Sequence, residues 1–270
     1  MIKRLLKISL VWITLLLTNC KNNRKQNDNM IVNKSTHTYR SFETEQLLLD
    51  YYRPKAIENN LPLIIYVHGG GFASGERDSK IIVDFAHKLV ENGYATIAIS
   101  YRLTRAKLGF NCSTSVKDKI KTFNDASEDI SYAINYILEN EAKFKINRNE
   151  IIIVGTSAGA EAAFNLVYTY NDDGLPKDFK LMGLISKAGA LTSLDEITLE
   201  SAIPMQLFHG SNDKIVPYNV GSHHLCKPNE PGYLPLFGSR AIANHLKTLN
   251  KPYHLVTLNE GNHGMAKLSI

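Results

Sequence analysis

The stretch from Ile151 to Ala163, Ile-Ile-Ile-Val-Gly-Thr-Ser-Ala-Gly-Ala-Glu-Ala-Ala, limits what this chain can fold into more than any other segment. A continuous apolar run is the mark of a strand covered on both faces, and the small residues that follow open a helix. Gly155-Thr156-Ser157-Ala158-Gly159 must then be a sharp strand-to-helix turn. Such a G-x-S-x-G turn holds its central Ser strained and exposed, and its glycines are needed because a Cβ there would collide with the turn. In a sheet built this way, Ser157 stands at the carboxyl edge of the strands, where ligands bind.

The rest of the chain alternates in the same manner. Strands are expected at 47–52, 63–67, 95–101, 151–154, 181–186, 205–208 and 253–258. Between them, apolar residues at helical spacing mark helices over 79–92 (Ile82, Phe85, Ala86, Leu89, Val90), near 118–140 (Ile120, Phe123, Ile130, Ile134, Ile137), after Ser157, and near 239–249. Strand-helix alternation over this length predicts one α/β domain, residues 41–270, with a mostly parallel central sheet and helices on both faces. Roughly 18 residues join Ser186 to Met205, which leaves no room for a large cap over the site.

The N-terminus stands apart. Lys3, Arg4 and Lys7 precede an apolar run from Ile8 to Thr18, a secretory leader over 1–19 that is too short to span a bilayer. Leu17-Thr18-Asn19-Cys20 resembles a relaxed bacterial lipobox, which would leave Cys20 as a lipidated first residue in the bacterial cell envelope, with a plain signal peptide as the alternative. Residues 20–40 are polar and read as a flexible tether. Of the charges behind the net +5, seven cations against one acid precede residue 40, so the body is near neutral and carries no basic stripe for nucleic acid.

Two further polar residues fall just beyond late strands. Asp213 lies in His209-Gly210-Ser211-Asn212-Asp213 and His263 in Glu260-Gly261-Asn262-His263-Gly264, giving the chain order Ser, Asp, His. Glu260 is the nearest rival carboxylate; His209, His223, His224 and His254 are rival imidazoles, but only His263 follows the last strand between glycines. Together with His68-Gly69-Gly70-Gly71-Phe72 behind an earlier strand, these segments resemble the α/β-hydrolase carboxylesterases, including acetyl and feruloyl esterases, over nearly all of the mature chain. Thr156 departs from the acidic residue that many such relatives carry before the Ser.

That resemblance implies a Ser nucleophile at 157, activated by His263 with Asp213 orienting the imidazole, and an oxyanion site from the N–H groups of Gly70, Gly71 and Ala158. The expected substrate is a small-molecule or carbohydrate ester with a short acyl group. A peptidase of the prolyl oligopeptidase type and an inactive binding lipoprotein are the alternatives. No cofactor or metal is called for: His223-His224-x-Cys226 lacks a convergent third ligand. Cys112 and Cys226 both fall in loops leaving the carboxyl edge of the sheet and are expected to form a disulfide, or else to remain two buried thiols.

Overall fold

The computed structural model describes residues 31–170 and 175–264. The leader, Cys20 and residues 21–30 lie outside them. Eight strands form one sheet in the order β1 (Val32–Ser41), β2 (Gln46–Pro54), β4 (Ala95–Ile99), β3 (Leu61–Val67), β5 (Ile146–Thr156), β6 (Gly183–Lys187), β8 (Met205–Gly210) and β11 (Tyr253–Leu258). The first two pairings, β1 with β2 and β2 with β4, are antiparallel, and every later one is parallel.

Period-two alternation explains why the central strands read as unbroken apolar runs. Along β3, Leu63, Ile65 and Val67 join the large core that includes Ile130 and Ile134 of α2 (Val116–Glu139) and Phe164 of α4 (Ala158–Tyr168). The intervening Ile64 and Tyr66 point the other way, to Ile82 and Phe85 of α1 (Lys80–Glu91). Among the described residues, the other α-helices are the short α3 (Glu141–Phe144) and α5 (Ser239–Thr248). A serine cap starts α2: Ser115 Oγ accepts from the Asp118 N–H at 3.2 Å and donates to its carboxylate at 2.8 Å.

The expected tether is too long. Residues 32–41 are strand, registered from Val32 opposite Pro54 to Ser41 opposite Gln46, so the folded domain begins near residue 32 rather than 41. Its polar sequence hid it because β1 is an edge strand with little to bury. Its polar side chains find partners instead, with Lys34 and Thr36 both on buried Asp50 and the Tyr39 hydroxyl on Ser100 O.

Beyond the main sheet, β7 (Ala190–Leu191), β9 (Val220–Ser222) and β10 (Pro235–Gly238) make a small antiparallel sheet in the order β7-β10-β9. It braces the excursion 211–238 between β8 and α5. That excursion meets the loop 100–115 after β4 and the start of α2 through Gly232 N to Cys112 O at 2.9 Å, Val116 N to Pro231 O at 3.1 Å, and a Cys112–Cys226 disulfide with Cα atoms 5.3 Å apart.

Candidate active site

Ser157 is the hinge between β5 and α4, with φ 52° and ψ −122°. This is a conformation that costs a non-glycine residue about 1–3 kcal/mol and persists only where its surroundings enforce it. The enforcement is visible. A Cβ on Gly155 would overlap Ala160, and one on Gly159 would overlap the carbonyl oxygens of Val67 and His68, so the elbow sits tight against the end of β3. The Ser157 N–H donates to Lys187 O at 2.7 Å, and its own carbonyl accepts from Ala160 and Glu161 at the start of the helix.

Beyond the ends of β8 and β11 the chain delivers Asp213 and His263 to that serine. Ser157 Oγ lies 2.8 Å from His263 Nε2, and His263 Nδ1 lies 2.7 Å from Asp213 Oδ2. Asp213 Oδ1 accepts the N–H groups of Ile215 and Val216 at 2.8 and 3.0 Å. Burial works to raise the Asp213 carboxyl, but its hydrogen bonds from His209 and His263 outweigh that and hold it far below the ordinary carboxylate range. An ionised Asp213 can only accept, so His263 carries its proton on Nδ1 and leaves Nε2 to accept from the Ser157 hydroxyl.

The rival groups have other duties. Glu260 is exposed, its N–H bonded to Ser211 Oγ at 2.8 Å. His254 stands at the beginning of β11, away from the carboxyl edge. His209 faces both Asp213 Oδ2 and Val216 O at 3.2 Å, with Ser239 Oγ 2.9 Å from its other nitrogen. His223 pairs with Glu161, and Cys226 is committed to the disulfide.

Gly70 and Gly71 adopt φ of 127° and 62° and line a cavity of about 630 Å³ together with Ser157 and His263. A Cβ at Gly70 would overlap Ser74 O, and one on Gly69 would come within 2.8 Å of Thr156 O, so the loop after β3 is folded closely onto the elbow. His68 holds it from behind: its ring stacks on Tyr101 at 4.5 Å, Nδ1 lies 2.8 Å from Gly69 O, and its carbonyl accepts from the Tyr101 hydroxyl at 2.9 Å. Ala158 is the first residue of α4, so its N–H has no acceptor within the helix. Phe110, Ile215 and His224 complete the wall from the two disulfide-linked loops.

Three polar groups beneath this wall were not singled out from the sequence as site residues. Glu161, one turn into α4, hydrogen-bonds buried His223, and fully buried Lys119 donates to Gly232 O at 2.6 Å, with burial lowering its ammonium below the usual range. The only local trace was a Glu inside an otherwise small and apolar helix opening.

The BD-FAE family model matches residues 49–195, which is 147 of the 270 residues. The matched span holds His68 to Gly71 and the elbow, and it ends before Asp213 and His263. Esterase E4 of Myzus persicae is 32% identical over 135 residues, 48% of this chain and 23% of its own length. Endo-1,4-beta-xylanase B of Butyrivibrio fibrisolvens is 25% identical over 167 residues, 57% of this chain and 26% of its own. The chain thus spans about a quarter of the length of these curated relatives. Among solved structures, the propionate-bound esterase Est2 of Thermogutta terrifontis superposes with a TM-score of 0.63 at 18% identity, covering 86% of this chain and 85% of that one, and so shares the fold.

Proposed function

Because the chain belongs to the BD-FAE family and has the α/β-hydrolase fold, we propose that it is a serine carboxylic ester hydrolase that removes short acyl groups from small-molecule or carbohydrate esters. The observation that carries this reading is the hydrogen-bonded line Ser157 Oγ, His263, Asp213 on the wall of the glycine-lined cavity. As Ser157 Oγ attacks the ester carbonyl carbon, His263 Nε2 takes its proton, and buried Asp213 stabilises the imidazolium that forms. The oxyanion is received by the N–H groups of Gly70, Gly71 and Ala158, each worth roughly 3–4 kcal/mol of transition-state stabilisation. Collapse breaks the bond to the alcohol oxygen, which leaves with the proton from His263. Water then repeats the sequence on the acyl-enzyme.

The substrate class draws on two similarities: a relative named as a xylanase and a structural neighbour solved with propionate. A cavity of about 630 Å³ lies within the usual range for small-ligand sites. Export with a lipid on Cys20, which would hold the enzyme on the cell-envelope membrane, is proposed from the leader sequence. Turnover of p-nitrophenyl acetate, set against an aminoacyl-p-nitroanilide, tests the reaction class. Ester turnover that vanishes in Ser157→Ala is expected; anilide turnover would assign a peptidase, and turnover of neither would make the chain a binding protein.

A further inference from the structure

His224 and Leu225 are consecutive non-glycine residues in the left-handed region, with φ of 53° and 57°. A single such residue is uncommon and a pair must be forced by its surroundings. Here both flanks are fixed. On one side, His223 is buried in its pair with Glu161 and packed edge-on against Phe110 at 5.3 Å. On the other, Cys226 is tied to Cys112, and its N–H donates to His223 O at 2.9 Å. The His224 N–H in turn donates to O of Ile215, the residue whose own N–H holds Asp213. The outcome of this clamp is that His224, though exposed, lines the same cavity as Ser157 and His263.

The surroundings disfavour the charged form of the ring. The residue is exposed, yet the protein mass around it, with help from His223 and Lys119 and against the Glu161 carboxylate, lowers the imidazole below its ordinary range. A neutral imidazole offers one donor and one acceptor, the pairing that a hydroxyl requires. The lining of the cavity is more apolar than polar, with Phe110, Ile81 and Ile215 beside Ser74 and Glu76, so a hydroxyl entering it depends on individual polar residues such as His224 for a partner. Building on the esterase reading above, we propose that His224 is a specificity-determining residue that hydrogen-bonds a free hydroxyl of the sugar carrying the ester. The Cys112–Cys226 bridge and the His223–Glu161 pair act as its positioning clamp.

The test compares three esters: a mono-O-acetylated methyl xyloside, the same compound with its remaining hydroxyls methylated, and p-nitrophenyl acetate. The native enzyme should favour the free-hydroxyl sugar over its methylated counterpart in kcat/KM by about tenfold, the size of one net hydrogen bond at a partly exposed position. His224→Phe should erase that preference chiefly through KM, while His224→Gln, which keeps a donor and an acceptor, should retain most of it. Cys112→Ala with Cys226→Ala should also erase the preference, and adding His224→Phe should then cost nothing more, because a released His224 has nothing left to lose. A native enzyme that is active but indifferent to methylation overturns this inference alone. So does a His224→Phe variant that lowers all three esters equally. Inertness toward all three esters overturns the esterase reading, and this inference with it.

Discussion

His209 and His263 meet on one oxygen: their ring nitrogens lie 3.2 and 2.7 Å from Asp213 Oδ2. With Oδ1 taken by two backbone N–H groups, the fully buried carboxylate accepts four contacts and is locked in direction. Fixing the acid fixes His263, and through it the proton path from Ser157.

This locking has a pH signature. Since the Asp213 carboxyl is held far below its unfolded value, its contribution to stability is complete above the unfolded carboxylate range, near pH 4, and fades as pH falls below it. Asp213→Asn should therefore melt well below the native protein at pH 7, and the gap should hold down to about pH 4 and narrow steadily from there toward pH 2. Melting temperatures of both proteins across that range check it; a gap that widens on acidification would contradict the assignment.

The backbone of Ser157 should be separable from its hydroxyl. Ser157→Ala should lower ester turnover by at least about a thousandfold without loss of stability. Ser157→Gly should be equally inactive yet melt about 2–4 °C higher than the Ala variant, because glycine accepts φ 52°, ψ −122° without strain. Calorimetry of the two variants decides it.

The disulfide spans 114 residues, for which the chain-entropy model gives about 4–5 kcal/mol. Replacing Cys112 and Cys226 with Ala should lower stability by up to that amount in urea unfolding. Thiol titration of the denatured, unreduced protein should find neither of these cysteines free.

Cys20→Ala should move the protein from the membrane fraction to the soluble one, since a lipid on Cys20 is the only anchor proposed. Sedimentation of the variant with membranes would point to an uncleaved leader instead.

What the sequence made legible was whatever is local. The elbow, the glycine run after β3, Asp213 and His263 each sit in a short segment whose residue types state their role, and parallel strands bring such segments to one edge. What it concealed depends on distant partners. Glu161 and His223 are 62 positions apart, and neither is recognisable as half of a buried hydrogen bond without the other. Strand β1 lacks the apolar face by which strands are found, because Tyr39 alone of its residues is buried in the core while Lys34 and Thr36 are balanced by Asp50. β7, β9 and β10, at two to four residues each, are too short to display any period.

Among the described residues the sheet ends at β11, which pairs with β8 and leaves Tyr253, His254, Val256 and Leu258 exposed. It is from this least sheltered strand that the chain runs on to His263. Edge elements with few buried contacts open at lower free energy than the body of a domain. Fraying of β11 would withdraw the base from Ser157 while the core around β3 and β5 stayed packed, so that inactivation and global unfolding become two events, with the first arriving at milder heat or lower denaturant than the second.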